Sequence, residues 1–219
     1  RHRSMSAPVI AIDGPSASGK GAVAQRVAQA LGFHVLESGA LYRLVALAGP
    51  QAPEQTAAAM PVEFRKGRIY LSGQDVTDKL RDEAIGVLAS DIAQRPGVRK
   101  ALLVRQQAFP RPPGLVAEGR DMGSVVFPDA ALKVFLTATP AVRAQRRYKQ
   151  LIDKGMDANL HALSRDLEQR DARDAARAVA PLAPAPDALP LDTSERSLDA
   201  VVDVILGWCR ERKLGGRPA

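Results

Sequence analysis

The sequence predicts an α/β fold in which a parallel sheet is flanked by helices and interrupted by two insertions. Two observations carry this. Short apolar runs without polar alternation, such as residues 8–13 (PVIAID), have the pattern of strands buried on both faces. Stretches with helical spacing alternate with them, and such alternation pairs strands in parallel through crossovers.

A Gly- and Ser-rich turn follows the first strand. Residues 21–31 (GAVAQRVAQAL) then place Val23, Val27 and Leu31 on one helical face, and Gly32 ends the helix. Residues 33–36 make a second strand, and Ser38 can cap a helix running to about Leu47. The composition shifts at Gly49: residues 49–60 are rich in Ala, Pro and Gln and read as a linker or a loose helix. Residues 63–71 read as a small hairpin turning near Lys66-Gly67, followed by helices at 82–94 and 97–109. The Arg-Pro-Pro-Gly turn at 111–114 leads into a strand at 115–117, and residues 133–136 (KVFL) make another. Charged helices occupy 140–154 and 160–177. A connector with Pro181, Pro184, Pro186 and Pro190 precedes a last strand at 189–191 and a helix at 198–210. The segments 49–82 and 143–178 break the strand–helix rhythm and are the candidate mobile insertions.

A chain of 219 residues with a hydrophobic fraction of 46% suits one compact domain with small insertions. Aromatics are only 4%, so the core must rest on Ala, Val, Leu and Ile. The single Cys209 excludes an internal disulfide and fits a reducing cytoplasm. No apolar run approaches the roughly 18 residues of a membrane span, and no secretion signal opens the chain. Residues ahead of Met5 read as an appended segment. A formal charge of +7 attracts anions, whether nucleic acid, anionic lipid or phosphorylated small molecules. The His residues do not cluster at metal-ligand spacing, and Trp208 and Cys209 read as packing residues of the last helix.

Gly14-Pro15-Ser16-Ala17-Ser18-Gly19-Lys20 matches the GxxxxGK phosphate loop, or P-loop. Glycines let successive N–H groups turn inward toward phosphate oxygens, and the helix N-terminus adds partial positive charge. Lys20 supplies a full charge near the β- and γ-phosphates. A turn that merely reverses the chain is the alternative; the strand before and the helix after weigh against it. The general motif has Ser or Thr after the lysine to hold Mg²⁺, and here Gly21 and Ala22 follow. Ser16, Ser18 or water must then take that part.

This loop is followed by Glu37-Ser38-Gly39-Ala40-Leu41-Tyr42-Arg43, by Glu118-Gly119-Arg120-Asp121-Met122-Gly123, and by Arg170-Asp171 through Arg177-Ala178-Val179-Ala180-Pro181-Leu182. Together, in this order, they resemble the bacterial cytidylate kinases over nearly the whole chain after Pro8. The resemblance implies a P-loop core at 8–48, 111–142 and 179–215, a CMP-binding insertion with its following helices at 49–110, and a lid at 143–178. It implies a monomer that transfers the γ-phosphoryl group of Mg²⁺-ATP to CMP and dCMP in pyrimidine metabolism. The metal is then held through phosphates and water. Three departures stand out: Ala22 replaces a usual Thr, Glu37 stands where Asp is common, and the 49–82 insertion is short.

Both substrates are anions, so joining them requires several cations. Ser38 and Tyr42 share a helical face with Arg43 beside them, which suits a nucleotide sugar and phosphate; an ordinary helix start is the alternative. The resemblance gives the CMP phosphate to Arg43 and Arg120. Cytosine differs from uracil by an N4 amino donor, and the resemblance assigns its acceptor to Asp121 with Ser90, and a donor for N3 or O2 to Arg99. Arg170, Arg173, Asp174 and Arg177 form one helical stripe, and Arg143, Arg146 and Arg147 a similar cluster. Solvated faces laced with ion pairs are the ordinary meaning of such charges. The resemblance gives Arg170 and Asp174 to the CMP ribose and Arg177 to phosphate, leaving the arginines of 143–165 as candidate ATP contacts. Lys20, Arg120 and Arg177 are the candidate catalytic cations. Asp13 and Glu118, at strand ends, could orient Mg²⁺ through water or tie loops together.

Two other readings remain. One is a P-loop kinase for UMP, dTMP or shikimate. The other is a basic nucleic-acid-binding protein, against which stand the missing basic tail and aromatic stacking platform. No nucleic-acid or membrane partner is expected.

Overall fold

The computed structural model describes residues 7–65, 67–176, 178 and 181–215. In chain order these form β1 (Val9–Asp13), α1 (Lys20–Leu31), β2 (His34–Glu37), α2 (Ser38–Ala48), α3 (Pro53–Ala59), β3 (Val62–Arg65), β4 (Arg68–Leu71) and β5 (Gln74–Asp75). A 3-10 turn (Lys79–Arg81), α4 (Glu83–Ile92), α5 (Pro96–Gln107), β6 (Leu115–Gly119) and a π turn (Met122–Val126) follow. The chain continues through β7 (Leu132–Thr137), α6 (Pro140–Asp153), α7 (Leu160–Ala175), β8 (Leu189–Asp192) and α8 (Leu198–Glu211).

The chain divides into two compact units, one made by the described parts of 1–36 and 109–219, the other by Glu37–Ala108. The first is built on a five-stranded sheet of order β2-β6-β1-β7-β8. β1 runs parallel to both β6 and β7, and β7 parallel to β8. All five residues of β1 and of β6 are buried, which explains why their sequences show no polar alternation. Val23, Ala24, Val27 and Ala28 of α1 and Val201, Val202, Ile205 and Cys209 of α8 pack with Ile10, Ile12, Val134 and Leu136 of the sheet. Each such Val, Ile or Leu side chain contributes about 1.5–3 kcal/mol of burial. β1 lies at the centre, so the loop that follows it leaves from the middle of the sheet.

In the second unit α2 packs against α3 and α4, and α3 against α5. This is why the unit begins at Glu37 rather than at Gly49, where the composition shifts. β3, β4 and β5 form a small antiparallel sheet, so the expected hairpin has a third strand. Residues 49–60 contain a true helix, started by Pro53 in its first turn. Ser38 is no cap: α2 begins at Ser38 itself, which is buried, and Glu37 holds the cap position without a side-chain bond. α7 ends at Ala175, and Arg177 lies outside the described residues. Among the described residues no helix is long and apolar enough to cross a membrane.

Candidate functional site

Residues 14–19 join β1 to α1 with backbone angles that few sequences tolerate. Gly14 has φ 159°, and a Cβ there would sit 2.4 Å from the Leu136 carbonyl oxygen. Gly19, at φ 91°, and Ala17, at φ 58°, are both left-handed. Arg143 Nη1 donates to the Ser16 carbonyl at 3.3 Å. The Ser18 carbonyl accepts from Arg146 Nη1 at 3.3 Å and faces Thr193 Oγ1 at 3.2 Å. Lys20 Nζ folds back to the Pro15 carbonyl at 3.2 Å. Burial pushes the Lys20 ammonium below its ordinary pKa; Glu118 opposes that shift, while Arg120 and Arg170 reinforce it. Glu118, Arg120 and Arg170 thus all act on Lys20.

Asp13, at the end of β1, accepts from the amides of Met122 and Gly123, one on each oxygen, both at 2.8 Å. Burial is the largest influence and pushes its carboxyl up to about 6, against the pull of the two amides. Its carboxylate ties the strand before the phosphate loop to the π turn after Arg120 and Asp121. Arg120 Nη2 donates to Ser16 Oγ at 2.7 Å, inside the loop. Its Nε pairs at 2.7 Å with Asp174 of α7, whose side chain is fully buried. Arg143 pairs with Asp171, also on α7. Such buried pairs fix geometry more than they add stability, because desolvation offsets much of their attraction. Asp121 is buried, and its carbonyl accepts from Val125 and Val126.

The second unit holds Ser38, Tyr42, Arg43, Ser90 and Arg99. Arg43 donates to the carbonyls of Leu80, at 2.6 Å, and Asp82, at 3.3 Å. It lies against Gly86 of α4, where a Cβ would come within 2.8 Å of Nη2. Arg99 stands over the Tyr42 ring at 6.0 Å, and Ser90 is buried on α4.

The sequence pattern missed Thr193. It directly follows β8 and is buried, so the same strand-end logic that locates the phosphate loop leads to it. The double bond of Asp13 to the π turn needs the tertiary structure. Arg143 and Arg146, expected as ATP contacts, bond to carbonyls of the loop. Among the described residues no group of three or more His, Cys, Asp or Glu side chains is placed to hold a metal ion. Both Asp13 oxygens accept from amides, and with Ala22 after Gly21 the side-chain hydroxyls of the loop are those of Ser16 and Ser18.

A phosphate loop at the middle of a parallel sheet, closed by lysine and faced by arginines, defines a P-loop kinase. A gluconokinase from Sinorhizobium meliloti shares this fold, with a TM-score of 0.50 and 18% identity over 94% of each chain. The sequence model of the cytidylate kinase family matches residues 10–211. A cytidylate kinase of Chromobacterium violaceum is 54% identical over 97% of this chain and 100% of its own length. One from Bordetella pertussis is 57% identical, over 93% of this chain and 96% of its own. The chain belongs to the cytidylate kinase family.

Proposed function

We propose that the protein transfers the γ-phosphoryl group of ATP to CMP and dCMP, giving ADP with CDP or dCDP. The observation that carries this is Arg120: its guanidinium reaches Ser16 inside the phosphate loop, and the next residue is the buried Asp121. A cation for transferring phosphate and an acceptor for the cytosine N4 amino group thus leave one strand end. An oxygen of the CMP phosphate attacks the γ-phosphorus as the bond to the β–γ bridging oxygen breaks, and ADP departs. The attacking phosphate is already ionised near neutral pH, so no general base is needed; positioning and charge carry the rate.

The amides of residues 14–20 and the Lys20 ammonium hold the triphosphate, with Gly21 and Ala22 opening the helix beneath it. Arg120 and Arg177 meet the charge that develops on the moving group. Ser38, Tyr42, Arg43, Arg170 and Asp174 bind the sugar and phosphate of the acceptor, and Asp174 also pairs with Arg120. Ser90 and Asp121 accept from cytosine, and Arg99 donates to it. Mg²⁺ carried by ATP, held through phosphates and water, would supply further charge neutralisation there. A monomer working in the cytoplasm, without nucleic-acid or membrane partner, completes the reading.

A coupled assay of ADP release with CMP, dCMP, UMP and dTMP tests this. Turnover with the two cytosine nucleotides far above the others is expected; equal or higher kcat/KM with UMP or dTMP would reject it. Replacing Asp121 by Ala is expected to narrow the preference for CMP over UMP by about tenfold or more, since a buried acceptor is lost. An unchanged ratio of kcat/KM for the two would remove Asp121 from that role.

A further inference from the structure

We infer that Thr193, together with Arg146, is a positioning residue that aims a phosphate-loop amide at the triphosphate. The inference rests on the reading of residues 14–20 as the triphosphate loop. Thr193 is buried just beyond β8, and its backbone N–H donates to the Thr137 carbonyl at the end of β7, at 2.8 Å. Its hydroxyl accepts from Arg146 Nη1 at 2.9 Å and has two carbonyls within donating reach, Ser18 at 3.2 Å and Thr137 at 3.0 Å. Arg146 Nη2 also donates to the Thr193 carbonyl at 2.6 Å, and Nη1 to that of Ser18 at 3.3 Å. The Ser18 carbonyl is therefore approached by a guanidinium and a hydroxyl from the same side.

A trans peptide is planar, with its N–H pointing opposite to its C=O. Holding the Ser18 carbonyl toward Thr193 and Arg146 turns the Gly19 N–H the other way, away from that brace. Arg143 does the same two peptides earlier, holding the Ser16 carbonyl and turning the Ala17 N–H. A cationic donor on a carbonyl also polarises the peptide and strengthens its N–H as a donor. Ala17 and Gly19 are left-handed, and Ala17 has a Cβ that disfavours this conformation. Such a shape persists where the surroundings over-determine it. With no hydroxyl at Ala22, amides carry more of the grip on phosphate, and their aim matters more.

The rival role for Thr193 is a direct contact to the adenine base, and a base-free ligand separates the two. Calorimetry would give the Kd of ATP and of inorganic tripolyphosphate for the wild type, Thr193→Val and Thr193→Ser. Thr193→Val is expected to weaken both ligands by the same factor, roughly three- to tenfold, with the KM for CMP unmoved. Thr193→Ser keeps the hydroxyl and should stay within about twofold of the wild type. Weakening of ATP alone would make Thr193 a base contact and overturn the inference, as would no weakening of either. Should Thr193→Val not fold, Arg146→Gln is expected to give the same paired loss, and an ATP-only loss or none there overturns the inference equally. Failure of the loop reading itself would appear separately, as tripolyphosphate affinity unchanged in Lys20→Ala.

Discussion

Lys20 carries its charge in surroundings that resist it. Burial and the neighbouring Arg120 and Arg170 push its pKa down, and Glu118 is the chief group holding it up. A preorganised charge of this kind is worth most where charge moves. Replacing Lys20 by Ala is expected to lower kcat about a hundredfold or more; steady-state kinetics within a few-fold of the parent would contradict it. Asp13 is held in the opposite sense, its carboxyl pushed up to about 6 by burial from an ordinary 3.8. A group whose pKa is higher folded than unfolded adds stability that is full below 3.8 and lost as the pH rises through about 6. The stability of the wild type relative to Asp13→Asn should therefore fall by roughly 1–3 kcal/mol from pH 4 to pH 7. Urea denaturation across that range checks this, and a flat difference would refute it. The carboxylate itself was conspicuous in the sequence, but metal orientation and loop tying stood level there. The two amides at 2.8 Å make the tie.

At the scale of elements, the phosphate loop depends on a glycine whose need is steric. A methyl group at Gly14 would meet the Leu136 carbonyl of β7, a backbone atom that cannot step aside without moving the strand. Gly14→Ala is expected to cost about 1–3 kcal/mol of stability in urea denaturation, with weakened ATP binding. A loss under about 0.5 kcal/mol would show that the loop shifts freely. Elements with strong local signals were legible: β1, β6 and β7 as continuous apolar runs, α1 from its spacing and its closing Gly32. The two-residue β5 is too short for any periodicity, and the π turn at Met122–Val126 is set by Asp13, far off in the sequence. Ser38 has the chemistry of a cap, yet burial claims it for the interior of its unit. Gly86 stands within α4. It is the gap in which the Arg43 guanidinium lies.

For the whole molecule, the charge of +7 serves anionic substrates. Raising the salt shortens the screening length from about 10 Å at 0.1 M to about 3 Å at 1 M. The kcat/KM for CMP should fall several-fold across that range, while kcat changes less, because encounter is screened more than a desolvated site. An equal fall in both would place the salt effect on the chemical step instead. What the sequence determined alone was local: buried runs that must be strands, a loop of glycines before a lysine, and arginines in a recognisable order. These depend on neighbours a few residues away, and so they are written in spacing. Only the folded chain decided that Asp13 holds the π turn, that Arg120 pairs with Asp174, and that Thr193 stands behind Ser18. Those bonds join residues more than fifty positions apart, and no periodicity records which distant partner a buried polar group will meet.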